Sequence, residues 1–256
     1  MSLEGVRTVL VEPTHPGNVG AAARAMWAMG LSDLALVSPL RGPDDEEAVA
    51  RAAGGRDCLA AASVHEGLDE AIAPATLVLA TTARGRDNGW PALDVRTAAG
   101  RAAAELAAGG RVAWLFGRES SGLTNAEVER AHAVVHIPAN PEYSVLNLAQ
   151  AVQIVAWELR SAVLEADIPA GEAAEGPATA AAVEGLREHL ETAAVEWGYL
   201  DPERRTAVDR RLRRMLARSR PTAEEINLLR GILRAGQKRA RRGEDGVIIT
   251  ESNDRE

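Results

Sequence analysis

The chain has 256 residues, a formal net charge of −8, 46% hydrophobic residues and a single cysteine, Cys58. This composition is ordinary for a globular protein, and its acidic balance argues against a simple basic nucleic-acid binder. One cysteine excludes a disulfide framework and a cysteine-based metal site. The sequence shows no leader pattern, and no apolar run approaches the ~18 residues of a membrane span. We therefore expect a cytoplasmic protein that binds neither a membrane nor a metal.

Short apolar runs that end in turn residues predict the strands of the first half of the chain. They lie at 6–13, 33–39, 76–83, 111–117 and 133–139, with 63–65 as a further edge strand. Helical periodicity occupies 18–30, 44–62, 66–73, 97–108, 124–131 and, as one long helix capped by Ser144 or Asn147, 144–165. Because the runs are apolar throughout and alternate with helices, the sequence predicts an α/β domain with a mainly parallel sheet over residues 1–166.

The second half of the chain has a different composition. Residues 167–178 lack periodicity, which is typical of a linker, and a helical region follows at 179–242, with helices at 179–197, 202–218 and 222–241. An acidic tail at 243–256 is predicted to be disordered. Between Asp201 and Arg242 the sequence has 14 Lys and Arg against 5 Asp and Glu, a balance of +9 that leaves −17 on the rest. This asymmetry predicts either a basic binding surface or a solvated helix face.

The loop after the first strand, within residues 12–30, opens a helix with Gly17 and Gly20. Its spacing fits neither the dinucleotide fingerprint nor the Walker A pattern, so no standard nucleotide-phosphate loop is present. Asn18 and Arg24 follow on this helix, and small alanines around Arg24 would let another surface approach closely. An ordinary amphipathic helix with a surface arginine explains this stretch equally well.

The loop after the strand at 76–83 also carries polar groups. Thr81, Thr82 and Ala83 lie at the carboxyl end of that strand, where open α/β sheets bind ligands. Arg84 and Arg86 come next, and guanidinium groups match phosphate oxygens in geometry. Two loop arginines by themselves would more often be solvated charge.

Two further strand ends complete the pattern. Residues 116–125 read FGRESSGLTN, with the Arg118–Glu119 pair between two glycines, and residues 136–150 read HIPANPEYSVLNLAQ. The carboxyl ends of parallel strands meet at one edge of a sheet. Four loops with special backbone chemistry at that edge therefore predict one ligand crevice.

Three of these segments, in chain order, carry a resemblance to a known family. NVGAAARAM, FGRESSGLTN and IPANPEYSVLNLAQAV resemble the three motifs of SPOUT-class RNA 2′-O-ribose methyltransferases. With TTARGR and the later RPTAEEINLLRGIL, the chain is most similar to the tRNA (cytidine/uridine-2′-O-)-methyltransferases of the TrmJ type. The resemblance implies S-adenosylmethionine as methyl donor, a homodimer and a C-terminal trefoil knot of the α/β domain. It also implies tRNA as substrate, at the ribose of nucleotide 32 in the anticodon loop.

The resemblance assigns roles to individual residues. It implies a cofactor pocket formed by the loops 81–83, 116–122 and 137–147, with Thr81, Thr82, Ala83, Gly117, Ile137, Ser144, Val145, Leu146 and Asn147 as cofactor-binding residues. Gly117 would let the chain approach the adenosyl group, and Glu119 would fix a neighbouring loop through Asn18 or Arg24, with Arg118 as a partner of Glu119. Arg84 and Arg86 would hold the tRNA backbone, and the basic helices at 202–242 would clamp the tRNA body.

The expected catalytic residues are Arg24, Asn18 and Glu119. Arg24 would act at the 2′-hydroxyl, and because a neutral arginine is costly at a pKa of ~12 or more, we prefer a cation that orients the hydroxyl over a base. The chain departs from the family pattern at Val145, where serine is usual, and Ser144 lies one residue earlier.

Other functional classes remain open at this stage. The main alternative is a non-catalytic RNA-binding protein on the same fold, which Arg24 and the intact FGRESSGLTN segment disfavour. A nicotinamide-dependent oxidoreductase would need the glycine fingerprint after the first strand, which is missing. A scaffold protein would leave the four strand-end loops unexplained.

Overall fold

A computed structural model of the chain describes residues 2–83, 91–165, 176–201 and 205–241. Its strands are β1 (Val6–Val11), β2 (Asp33–Val37), β3 (Ser63–His65), β4 (Leu77–Thr81), β5 (Ala92–Asp94), β6 (Val112–Phe116) and β7 (Ala133–His136). They form one sheet in the order β3-β2-β1-β6-β4-β7-β5, in which neighbouring strands are parallel. The predicted α/β class and the edge position of β3 are confirmed.

Ten helices are described besides one short 3₁₀ turn. In the α/β domain they are α1 (Pro16–Ala28), α2 (Glu46–Ala52), α3 (Arg56–Ala60), α4 (Leu68–Ile72), α5 (Val95–Ala107), α6 (Asn125–Val128) and α7 (Leu148–Glu165). The helical extension consists of α8 (Ala180–Glu196), α9 (Arg205–Ser219) and α10 (Ala223–Arg241). Among the described segments, no helix is both long and apolar enough to cross a membrane.

Helices cover both faces of the sheet, as the continuous apolar strands predict. In β6, Val112, Trp114 and Phe116 belong to the core beneath α1, α5 and α7. Ala113 and Leu115 between them face the opposite core, which includes α4 and α6. Successive side chains of a strand point to opposite faces, so a strand buried on both sides needs apolar residues at every position.

The prediction of one continuous helix over residues 44–62 is wrong. The helix is interrupted by a 3₁₀ turn at Ala53–Gly55 and resumes as α3. A Cβ atom on Gly55 would lie 2.8 Å from both the Ala23 carbonyl oxygen and the Arg24 Cα of α1. The chain therefore bends where it touches the α1 backbone, a contact that periodicity within the segment does not encode.

The helical extension packs around its own small core and attaches to one edge of the α/β domain. Its core includes Leu186, Ala193, Leu216, Ile226 and Leu233. The Ala180 N–H donates to the Ala75 carbonyl at 2.6 Å, and Arg210 pairs with Glu129 at 3.1 Å. Ala75 and Glu129 precede β4 and β7, so the extension lies at the amino ends of the strands.

Several predictions fall partly or wholly outside the described residues. Residues 84 and 86 lie there, as do the acidic tail at 243–256 and most of the 167–178 linker. The division of the chain at 166, 178 and 242 stays a prediction.

Candidate active site

A cleft with a volume of about 200 Å³ lies at the carboxyl ends of β4, β6 and β7. It is lined by Thr81, Thr82, Ala83, Phe116, Gly117, Arg118, Glu119, Ser120, Ser121, Gly122, Ile137, Ser144, Val145, Leu146, Leu148 and Ala151. Three of the four predicted loops therefore meet at one site. Every predicted cofactor residue except Asn147 lines this cleft.

The walls of the cleft combine apolar and polar groups. Ile137, Leu146 and Leu148 supply apolar surface, and the Trp114 indole N–H donates to the Thr81 hydroxyl at 2.8 Å, which holds the end of β4 in place. Such mixed walls suit a small ligand with an apolar body and a few polar groups. Elsewhere in the described residues, no group of three or more His, Cys, Asp or Glu side chains is placed to hold a metal ion.

Gly117 is required by the loop itself. A Cβ atom at this position would lie 2.2 Å from the Gly122 carbonyl carbon and 2.3 Å from the Leu123 nitrogen. The Gly122 N–H donates to the Arg118 carbonyl at 2.8 Å, and Gly122 adopts a φ of 69°. The loop after β6 thus folds back onto its own start, a reason for Gly117 that differs from the expected approach to a ligand.

Glu119 ties the loop after β6 to the loop after β1. Its carboxylate accepts hydrogen bonds from the Thr14 N–H at 3.0 Å, the Thr14 hydroxyl at 2.9 Å, the His15 N–H at 3.2 Å and the Asn18 amide at 3.1 Å. Burial would raise the pKa of Glu119, but the bonds donated by Thr14 and Asn18 outweigh it and lower the pKa to about 2. Glu119 is therefore ionised, and its predicted contact with Asn18 is confirmed.

Asn18 and Asn147 extend this connection to the third loop. The Asn147 side-chain amide donates to the Asn18 side-chain oxygen at 2.9 Å, and the Asn147 side-chain oxygen accepts from the Ala149 N–H at 2.9 Å. Of the two predicted caps, Asn147 is thus the one that binds the first turn of α7. Asn18 and Asn147 frame the cleft from outside its wall and join the loops that carry it.

Arg118 does not pair with its neighbour Glu119, so that expectation is wrong. Its guanidinium binds Glu12 and Glu127, the latter at 2.9 Å. Glu127 also accepts from the Thr124 N–H at 2.7 Å and completes the capping box of α6. Arg118 therefore braces the loop between β1 and α6.

Arg24 lies away from this cleft. It is exposed on α1, does not line the cleft, and makes no hydrogen bond or ion pair with another described residue. Trp27 on α1 is 46% exposed and Trp157 on the adjacent α7 is 57% exposed. Two exposed aromatic side chains therefore lie on the pair of helices α1 and α7, of which α1 carries Arg24.

Sequence reasoning included Ser120 and Ser121 only as part of the loop 116–122, and it missed Leu148 and Ala151. Ser120 and Ser121 lie within the FGRESSGLTN segment and line the cleft, and so do Leu148 and Ala151 of α7. The two serines follow a glycine turn at a strand end, which is a usable signal. Leu148 and Ala151 are three residues apart on a helix, a spacing that equally fits core packing.

Many arginines of the helical extension are paired internally. Buried Arg187 binds Glu184 at 2.9 Å and Glu191 at 2.8 Å, and it also contacts Asp209. Arg213 binds Glu184 at 2.8 Å. These pairs hold α8 against α9 and are not available to a partner. Exposed cations with no ion pair to another described residue include Arg211, Arg218, Lys238 and Arg239.

Two family models match the chain, one over the α/β domain and one over the helical extension. The model of the SpoU rRNA Methylase family matches residues 5–157, and that of the tRNA methyltransferase TrmJ C-terminal domain matches residues 181–245. The chain is 46% identical over 239 residues to the tRNA (cytidine/uridine-2′-O-)-methyltransferase TrmJ of Pectobacterium atrosepticum, covering 92% of this chain and 98% of the relative.

Two further relatives extend the comparison. A tRNA (cytidine/uridine/adenosine-2′-O-)-methyltransferase TrmJ of Pseudomonas aeruginosa is 45% identical over 248 residues, covering 93% of this chain and 96% of the relative. The crystal structure of TrmJ from Z. mobilis superposes with a TM-score of 0.78 at 36% identity, covering 90% of this chain and 97% of the other.

Proposed function

We propose that this chain, which belongs to the SpoU methylase family, transfers a methyl group from S-adenosylmethionine to a ribose 2′-hydroxyl of tRNA. The observation that carries the proposal is the cleft in which the loops after β4, β6 and β7 meet, together with the hydrogen bonds of Glu119, Asn18 and Asn147 that join it to the loop after β1. The TrmJ relatives, matched over nearly their whole length, are named for 2′-O-methylation of cytidine and uridine in tRNA. We place the target at nucleotide 32 of the anticodon loop, as the sequence resemblance implies.

The cleft fits S-adenosylmethionine in its chemistry. When bound, this donor supplies an electrophilic methyl group on a positively charged sulfonium. Glu119 presents an ionised carboxylate in the cleft wall, which favours a cationic ligand. Ile137 and Leu146 offer apolar walls for the adenine, and the polar groups of Thr81–Ala83 and Ser120–Ser121 would bind the rest of the molecule.

Arg24 would orient the 2′-hydroxyl and stabilise the negative charge that develops on its oxygen. Arg24 does not line the cleft of its own chain, so the proposal includes a homodimer. If the exposed surface around Trp27 and Trp157 meets its copy, Arg24 of one protomer would come to lie beside the cleft of its partner. Apolar aromatic residues are enriched in such interfaces.

The helical extension would bind the tRNA body. Its exposed cations Arg211, Arg218, Lys238 and Arg239 are available to phosphates, whereas Arg187 and Arg213 stabilise the extension itself. The same proposal covers residues 179–242 as the tRNA-binding region after a linker at 167–178. It also retains the trefoil knot of the α/β domain and a cytoplasmic location.

Mass-spectrometric mapping of ribose methylation tests the function. Unmodified tRNA incubated with the protein and S-adenosylmethionine should gain one 2′-O-methyl group at nucleotide 32, and Arg24→Ala should remove the product while donor binding stays intact. Binding of tRNA without methylation at any nucleotide, under conditions in which the donor raises the Tm, would support the non-catalytic alternative instead.

A further inference from the structure

The loop between β7 and α7 presents an exposed aromatic ring at the rim of the cleft. Tyr143 is 75% exposed, and the two residues that follow it, Ser144 and Val145, line the cleft. Other exposed aromatic residues, such as Trp27 and Tyr199, do not adjoin residues of the cleft wall in the sequence, whereas Tyr143 does. Phe116, the aromatic residue in the cleft wall, is 2% exposed and belongs to the core.

A built turn holds the backbone of Tyr143. Its N–H donates to the Asn140 carbonyl at 2.9 Å, and the Glu142 N–H donates to the Asn140 side-chain oxygen at 3.1 Å. Pro141 occupies the second position of this turn, where its fixed φ is preferred. The two hydrogen bonds and Pro141 restrict the backbone under the ring, which lowers the backbone entropy that would be lost when the ring is used.

The charge beside the ring indicates which part of a nucleotide it meets. The acidic residue Glu142 is exposed next to Tyr143, and an acidic side chain disfavours a phosphate at this point of the rim. An exposed ring remains available to the flat face of a base. Loop nucleotides of RNA have unstacked bases that aromatic side chains accept.

We propose that Tyr143 stacks on the base of the nucleotide whose ribose is methylated. The inference rests on the proposed function and adds a positioning residue to it. Stacking uses the π-face that every base has and does not read the hydrogen-bonding edge. Tyr143 would therefore hold cytidine and uridine alike, with the ribose directed toward the cleft.

Two variants and a matched control test the inference on an anticodon stem-loop RNA. Tyr143→Ala should raise both the Kd and the KM for this RNA about 5- to 150-fold, the range that loss of one stacked base gives. Tyr143→Phe should stay within about twofold of wild type, because the ring alone stacks. Val64→Ala, which shortens a 55% exposed side chain of the edge strand β3, is the control and should change the Kd and the KM for this RNA by less than about twofold. The Kd for S-adenosylmethionine should be unchanged in all three.

A second RNA with an abasic ribose at the target position separates stacking from a structural role. The wild-type protein should bind this RNA as weakly as Tyr143→Ala binds the normal RNA. Replacing the normal RNA by the abasic RNA should raise the Kd of Tyr143→Ala only slightly. Three results would overturn the inference. Tyr143→Ala could raise the Kd by the same factor for both RNAs, Tyr143→Phe could bind the normal RNA as weakly as Tyr143→Ala does, or the Kd for S-adenosylmethionine could rise. Absence of methylation with RNA binding that still depends on Tyr143 and on the base would overturn the proposed enzyme function alone.

Discussion

In the cleft, the carboxylate of Glu119 is held by backbone and amide N–H groups, whereas in the helical extension the guanidinium of Arg187 is held by carboxylates. The first arrangement fixes three loops in position and leaves one ionised group facing a ligand site. The second arrangement neutralises charge and closes a helix pair. The contrast shows that the net charge of a segment does not by itself locate a binding surface. Residues 201–242 have a net charge of +9, but some of their arginines are used in internal ion pairs.

Breaking the Glu119 connection should act on activity. Glu119→Gln places an amide where the carboxylate accepts four bonds, so at least one donor loses its partner and the loops shift. Misplacement of a site by about 1 Å can reduce a rate about 100-fold, and we expect kcat/KM for methyl transfer to fall by that order. Glu66→Gln is the control, since that exposed carboxylate makes no ion pair with a described residue. Equal activity of the two variants would refute the role of Glu119.

Breaking the charge cluster of the extension should act on stability. Arg187→Met leaves Glu184, Glu191 and Asp209 without this partner, and loss of one member of a buried pair typically costs about 3–5 kcal/mol. Hydrogen exchange should rise across α8 and α9, while the donor Kd of the α/β domain stays unchanged. Arg218→Met, at an exposed position, should change stability by about 0.5 kcal/mol or less. Equal hydrogen exchange across α8 and α9 in the two variants would contradict a stabilising role of the Arg187 ion pairs.

His132, which lies beside the helical extension, predicts a pH dependence of stability. Burial, together with the positive charges of Arg220 and Arg101, lowers its pKa to about 4, so it stays neutral in the folded protein. In the unfolded chain it titrates near ~6.5. Between these values the unfolded state binds the additional proton, so the free energy of unfolding should fall as pH falls from about 6.5 to about 4, by up to ~1.4 kcal/mol per pH unit.

Urea unfolding at pH 5 and pH 7 measures this dependence. His132→Asn keeps an acceptor for the Val78 N–H, which donates to His132 at 2.9 Å, and should flatten the difference between the two pH values. His136→Asn, at an exposed position, should leave the difference as in wild type. An unchanged pH dependence in His132→Asn would show that other groups cause it.

The smallest effect concerns a single exposed cation. Arg239→Ala should weaken tRNA binding by a few-fold and lower the slope of log K against log salt by about one, because one phosphate contact is lost. Arg239→Lys keeps the charge and should retain the wild-type slope. Titrations at several salt concentrations measure both. An equal slope in wild type and Arg239→Ala would show that Arg239 does not contact a tRNA phosphate.

Strand-end chemistry was readable from the sequence because it is local. Thr81, Gly117 and Ile137 each follow an apolar run, and parallel strands bring such ends to one edge of a sheet. The break at Ala53–Gly55 was not readable, because it arises where the chain meets the α1 backbone. The distant partners were hidden for the same reason, since Glu12 is 106 residues from Arg118 and Asp209 is 22 residues from Arg187 along the chain.

The sequence by itself determined the element types, the parallel sheet, the family motifs and the loops that could form a site, because hydrophobic period and turn residues act over a few positions. Only the tertiary structure decided which polar groups meet. It joined Glu119 to Thr14 and Asn18 and placed Arg24 outside the cleft. It also paired several arginines of the extension with carboxylates of the same region. Contacts between distant segments depend on the packing of whole elements, which local patterns do not specify.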